Sequence, residues 1–162
     1  MDLNLLATRL KTDYPVVHDT GIKAGPRLAA VMVTLFCKEG VAHVLLIKRA
    51  EGLRDHPGEI SFPGGKYDAA DGNLLTTALR ETREELDLQI DMSSVLSRLP
   101  DVETLTGFVV SPYVAILKNL PACKSNPAEV DAVLQAPLEA LLATQQRDTR
   151  HKASMDMVIF QH

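Results

Sequence analysis

Three glutamates are crowded into five residues of the run Arg80-Glu81-Thr82-Arg83-Glu84-Glu85. On a helix, Glu81, Glu84 and Glu85 fall at i, i+3 and i+4, so their carboxylates converge on one face beside the apolar arc. A like-charge pair in that relation costs about 0.2–0.5 kcal/mol, and here three charges repel one another. Hard oxygen donors on a rigid helix suit Mg²⁺ or Mn²⁺, which take a few carboxylates and complete their shell with water and substrate phosphate. Taken alone, the string also fits a solvated acidic face on which Arg80 pairs with Glu81 and Glu84. The upstream Phe62-Pro63-Gly64-Gly65-Lys66 favours the metal reading, because paired glycines permit close backbone approach and offer a main-chain carbonyl.

Phosphate-binding groups are also at hand. Lys48, Arg49, Arg54 and Lys66 are the local cations, with arginine favoured for bidentate contacts. His56, a loop histidine beside proline, reads as exposed. These cations sit in an acidic chain: 17 Lys and Arg against 21 Asp and Glu give a net charge of -4. General nucleic-acid binding is excluded on that balance, whereas a small anionic substrate needs only a local basic patch or a metal.

The elements that must position these groups belong to one ordinary globular domain, with 162 residues and 46% hydrophobic content. Leu3, Leu6 and Leu10 predict a helix over 2–11, and Pro15 to Pro26 a surface connection. Leu28–Phe36 and Ala42–Lys48 read as a hairpin turning at Cys37-Lys38-Glu39-Gly40. Residues 49–66, punctuated by proline and glycine, read as a long loop around a site. A helix follows from Asn73 to Leu86, burying Leu75, Leu79, Thr82 and Leu86. Val109–Leu117 reads as a strand whose Pro112 predicts an edge or a bulge. Glu129–Leu134, the short helix Leu138–Leu142 and the strand Met155–Phe160 complete the series. Mixed hairpins and helices, without strand–helix alternation, predict α+β or a three-layer α/β/α sandwich. The last strand is apolar on both faces, which predicts cover by the N-terminal helix or by a partner subunit in a homodimer. The N-terminus does not resemble a signal peptide, and no apolar run suffices to span a bilayer. Cys37 and Cys123 match no metal or disulfide pattern and read as reduced, partly buried cytoplasmic thiols.

Gly65, Arg80, Glu81, Glu84, Glu85 and Leu88 resemble the Nudix box, a glycine followed by R-E-x-x-E-E and an apolar residue. Asp71 stands where the family usually has Glu, eight residues rather than seven separate it from Arg80, and Asp87 replaces the closing glycine. Leu45-Leu46-Ile47-Lys48-Arg49-Ala50, Arg54, Gly58 and Phe62-Pro63-Gly64-Gly65 are similar to the signature of the coenzyme A diphosphatase branch, which tolerates both departures in the box. Val110-Ser111-Pro112-Tyr113-Val114, Asn126-Pro127-Ala128-Glu129-Val130 and Pro137-Leu138 look like its later landmarks.

The resemblance implies one Nudix-type α/β/α sandwich with a mixed sheet over residues 1–162, and a cytoplasmic enzyme. It implies Glu81 and Glu85 as ligands of Mg²⁺ or Mn²⁺, Glu84 as a shared or second-metal ligand, and the Gly64 carbonyl in the same shell. Arg80 would hold the carboxylates in place, and Glu84 or Glu129 would be the general base, although Glu129 reads equally well as a strand-start charge. Arg49, Arg54 and Lys66 are the implied substrate contacts. The implied reaction splits coenzyme A or acyl-CoA into (acyl-)phosphopantetheine and adenosine bisphosphate. The alternatives are a Nudix hydrolase for ADP-ribose or a dinucleotide, and a catalytically silent metabolite-binding domain.

Overall fold

The computed structural model describes residues 1–17, 27–143, 146–147 and 158–159. Helix α1 (Leu3–Asp13) starts at Asp2, whose carboxylate accepts from the N–H groups of Asn4 and Leu5. Strands β1 (Arg27–Lys38) and β2 (Val41–Arg49) form the expected hairpin, but Cys37 and Lys38 belong to β1. Only Glu39 and Gly40 are left to turn the chain, both with positive φ (52° and 78°), a conformation that matches the twist of the strands it joins.

The expected loop after β2 carries two short strands, β3 (Ile60–Ser61) on β2 and β4 (Gly64–Lys66) on β1. Helix α2 (Leu74–Leu86) is followed by β5 (Val95–Arg98), β6 (Val102–Glu103), β7 (Phe108–Leu117), β8 (Val130–Pro137) and α3 (Leu138–Ala143). In the main sheet the order is β3-β2-β1-β7-β5, with β4 on β1, β6 on β7 and β8 on β2. The β1–β7 pair is parallel and the others antiparallel, which makes the sheet mixed. A separate pair, β9 (Gln146–Arg147) with β10 (Val158–Ile159), contains all that is described of the predicted last strand. Met155–Met157 and Phe160, and with them the surface that needed cover, lie outside the described residues, as do residues 18–26 of the predicted connection.

Alternation along β1 and β2 builds a core on each face. Ala30, Met32, Phe36, Leu45 and Ile47 pack with Leu74, Leu75, Ala78 and Leu86 of α2. Leu35, Val44 and Leu46 pack on the other face with Leu3, Leu6 and Leu10 of α1 and Leu138 and Leu141 of α3. These are the three layers predicted. No helix among the described residues is long and apolar enough to cross a membrane. Cys123 is half-buried as expected, whereas Cys37 is exposed.

Pro112 is not on an edge, since β7 has β1 on one side and β5 and β6 on the other. Its carbonyl accepts from Leu99 N–H, and a residue's N and C=O point the same way across a strand. The proline nitrogen therefore faces the break between β5 and β6, where no ladder donor is missing.

One feature of the sheet makes room for a site. Strands β1 and β2 pair only from Leu35–Lys38 to Val41–Val44. Before that, β1 takes β4 as its partner while β2 takes β3 and β8. The carboxylates of α2 reach the mouth of this fork.

Candidate active site

Helix α2 is placed by caps at both ends. Asn73 Oδ1 accepts from Thr76 N–H at 2.8 Å, and Asp87 adopts the left-handed conformation (φ 52°) while its N–H closes on Arg83 O. Asp87 thus does the work of the missing glycine, as Asx residues tolerate that region. The buried face is wider than periodicity predicts: Leu74, Thr77, Ala78 and Glu85 join Leu75, Thr82 and Leu86, while Leu79 is half-buried.

The three glutamates therefore occupy three environments. Glu84 is exposed, Glu81 is half-buried, and the Glu85 side chain is only 2% accessible. Glu85 is within the apolar arc rather than beside it. Burial pushes its carboxyl up to about 8, the Gly64 N–H opposes this with a 3.0 Å bond, and the like charges of Glu81 and Glu129 add to it. Arg49 opposes from 3.9 Å. Glu81 is raised too, by burial first, with Arg80 opposing and Glu84 and Glu129 contributing.

Arg80 is the hub. Its guanidinium grips Asp71 through Nε–Oδ1 at 2.8 Å and Nη2–Oδ2 at 3.0 Å, and reaches Glu81 at 2.8 Å, Glu84 at 3.0 Å and Lys66 O at 3.3 Å. Asp71 is half-buried with its side chain turned inward, also accepts from Thr77 Oγ1 at 2.7 Å, and is held below the usual carboxylate range chiefly by Arg80. Sequence reasoning saw Asp71 only as a departure from a pattern. Its spacing from Arg80 across a turn, Gly72 and a cap was the available signal.

Glu129 joins the cluster through a loop that the sequence marked without explaining. Asn126 N–H donates to Glu85 O at 2.8 Å, its carbonyl accepts from the N–H groups of Glu129 and Val130, and its Nδ2 reaches Glu129 Oε1 at 3.4 Å. Glu129 O in turn accepts from Ala50 N–H at 2.9 Å, which ties the loop to the end of β2.

The basic residues divide. Arg49 faces Glu85, donates to Asp55 O at 3.3 Å, and keeps a buried Nε without a partner among the described residues. Lys66 pairs with Asp55 at 2.9 Å, Lys48 with Glu51 and His56 with Glu59. Arg54 lies exposed in the loop, with no ion pair among the described residues, and is not brought onto the carboxylates.

Among the described residues, no three acidic, His or Cys side chains already stand as a closed metal cage. The cause is visible: Arg80 draws Glu81 and Glu84, while Gly64 N–H draws Glu85. The donor chemistry nevertheless fits a hard dication, and the backbone makes way for it. A Cβ at Gly65 would lie 2.5 Å from the Glu81 carboxyl carbon, so only glycine leaves that carboxylate its place.

The NUDIX domain family model matches residues 25–157. The chain belongs to the Nudix domain family. Relatives named "Uncharacterized Nudix hydrolase NudL" include one from Enterobacter sp. (strain 638), 39% identical over 116 residues, covering 72% of this chain and 60% of that protein. Another, from Yersinia pestis (strain Pestoides F), is 35% identical over 132 residues, covering 81% and 65%. This Nudix chain thus spans 60–65% of the length of those relatives. Among solved structures, the NUDIX domain of Shewanella oneidensis NrtR, complexed with ADP ribose, aligns with TM-score 0.61 and 26% identity over 75% of this chain and 79% of that one. A NUDIX hydrolase from Alicyclobacillus acidocaldarius aligns with TM-score 0.61 and 22% identity, covering 75% and 83%, a likeness of fold.

Proposed function

We propose that this Nudix chain, acting as one domain over residues 1–162, hydrolyses a diphosphate bond in coenzyme A or an acyl-CoA with Mg²⁺ or Mn²⁺. The observation that carries the hydrolase reading is the buried Glu85 beside Glu81 and Glu129, with Arg49 its nearest cation at 3.9 Å. Such an arrangement of like charges calls for a dication. Glu81 and Glu85 would hold the ion, with Glu84 and the Gly64 carbonyl as further ligands. When bound, it supplies charge neutralisation for the diphosphate and acidifies a water.

The chain's own groups do the rest. Glu129, pinned by Asn126, takes the proton of the attacking water, with Glu84 as the other candidate base. The water oxygen forms a bond to one phosphorus, the anhydride P–O bond breaks, and the leaving phosphate takes the electron pair. Arg80 keeps Glu81 and Glu84 in place, and Arg49, whose Nη1 stands 3.9 Å from Glu85, presents its guanidinium to the diphosphate.

Coenzyme A is favoured by the signature Leu45–Ala50, Arg54, Gly58 and Phe62–Gly65, of which Arg49 and Gly64 meet Glu85 at this fork while Arg54 stays exposed in the loop. ADP-ribose is the second reading, favoured by the ADP-ribose complex of the NrtR domain. A silent binding domain is disfavoured by the intact Glu81, Glu84 and Glu85. The test is phosphate release, coupled to a phosphatase, from coenzyme A, acyl-CoAs, ADP-ribose and dinucleotides with either metal. Preference for coenzyme A compounds supports the reading; preference for ADP-ribose or a dinucleotide replaces it; no turnover on any of them sinks it.

A further inference from the structure

The first residue of β1 and the first residue of β7 are Cα partners in the parallel pair, and they are Arg27 and Phe108. The Arg27 guanidinium lies over the Phe108 ring, 4.5 Å from its centroid. Lys66, at the end of β4 on the same side of the sheet, places its ammonium 5.6 Å from the same ring. Two cations sharing one ring, with Asp55 the carboxylate on Lys66, leave an excess positive charge at the end of the sheet. The neighbouring His56 is already paired with Glu59.

This cluster is joined to the carboxylates by a short line of contacts. Glu85 faces Arg49, Arg49 donates to the Asp55 carbonyl, the Asp55 carboxylate takes Lys66, and Lys66 and Arg27 meet at Phe108. Lys66 also directly follows Gly65, whose missing Cβ makes room for Glu81. A ligand seated on the carboxylates therefore has this basic rim beside it, linked through Arg49, Asp55 and Lys66.

Stacking on a ring uses the face of a guanidinium and leaves its in-plane N–H donors unengaged. Arg27 is exposed and has no ion-paired carboxylate among the described residues. Its donors are oriented by the ring and open to a planar or tetrahedral anion. Arginine in that state is suited to bidentate recognition of phosphate.

We propose that Arg27, Lys66 and Phe108 form a subsite for a phosphate monoester that the substrate carries in addition to its diphosphate. The inference rests on the diphosphate-hydrolase reading and assigns its nucleotide end. Arg27 and Phe108 are then specificity residues, distinguishing a nucleotide with a further phosphate from one without it.

The test uses the full chain and two probes, adenosine 3′,5′-bisphosphate and AMP, titrated calorimetrically at fixed Mg²⁺. The wild-type chain should bind the bisphosphate about tenfold more tightly than AMP, the size expected of one charge-assisted contact. Arg27→Ala should bring the ratio to about one, Arg27→Lys should keep part of it, and Phe108→Leu should give an intermediate value. A wild type that does not distinguish the probes overturns the subsite. So does a ratio that survives Arg27→Ala, and the Arg27→Lys titration keeps the test valid should the alanine variant misfold. Failure of the activity reading looks different: coenzyme A stays intact while the binding ratio persists.

Discussion

On the α2 side of the carboxylates, Arg80 engages Asp71, Glu81, Glu84 and the Lys66 carbonyl. On the β2 side, Arg49 meets Glu85 at 3.9 Å and one carbonyl, and its Nε is buried without a partner among the described residues. Both are arginines against the same acidic group, yet one has nearly exhausted its donors and the other has not. A saturated arginine builds a site, because its bonds already define where the carboxylates stand. An unsaturated one, partly buried, has incurred desolvation, and its terminal Nη1, 3.9 Å from Glu85, is the end that an anion can engage. On the proposed reading the α2 side is scaffold, and the β2 side would face substrate.

The largest effect should come from the residue between the two sides. Glu85→Gln removes a charged ligand without changing shape and is expected to lower turnover about a hundredfold or more. The metal-free fold should be as stable as wild type or more so at pH 7, since the wild-type carboxyl, pushed up to about 8 by burial, must take up a proton to fold there and glutamine need not. Steady-state rates at saturating Mg²⁺ and a melting curve check both halves, and near wild-type turnover would reject Glu85 as a ligand.

Next comes the scaffold side. Asp71→Asn keeps the volume but breaks the bidentate pair, and Arg80 is about a third exposed, so a loss of about 1–3 kcal/mol is expected. Because Arg80 is then free to shift Glu81 and Glu84, the rate should fall as well. An unchanged melting temperature in this variant would show that the α2 side is not held as described.

These residues also show how far sequence reaches. The helix, the hairpin and the carboxylate set were legible because period and charge write them directly into neighbouring residues. Glu129 was legible only as a candidate, since its place beside Glu81 and Glu85 depends on Asn126 capping the end of α2 from a distant loop. Asp71 was legible as a misfit, and its meaning appeared only when the turn before α2 aimed it at Arg80. Pro112 predicts an edge or a bulge: β7 is not an edge, but its pairing with β5 is irregular between Val95 and Ser97, and the break between β5 and β6 excuses the missing donor. Helical spacing assigns Glu85 to a face beside the apolar arc, yet it lies within that arc, because burial is set by what packs against the helix.

The smallest effect is expected on the β2 side, at Arg54. It touches no described acid and lies in the loop, so Arg54→Ala should raise KM for coenzyme A about threefold with less change in kcat, as uniform binding requires. A pure loss of kcat would move Arg54 from the rim to the reacting centre.

The central claim is that Glu85 is a buried carboxyl placed to receive a dication, and proton release on metal binding tests it most directly. With burial holding its carboxyl at about 8 in the metal-free chain, Glu85 is mostly protonated at pH 7 and must lose that proton to bind. Mn²⁺ affinity should therefore increase with pH up to about 8 and level off above it. Calorimetric Mn²⁺ titration at pH 7, repeated in buffers of different ionisation enthalpy, should report close to one proton released per ion bound, and Glu85→Gln should abolish that release together with most of the affinity. Tight binding with no proton released, or binding and release unchanged in Glu85→Gln, would contradict the account.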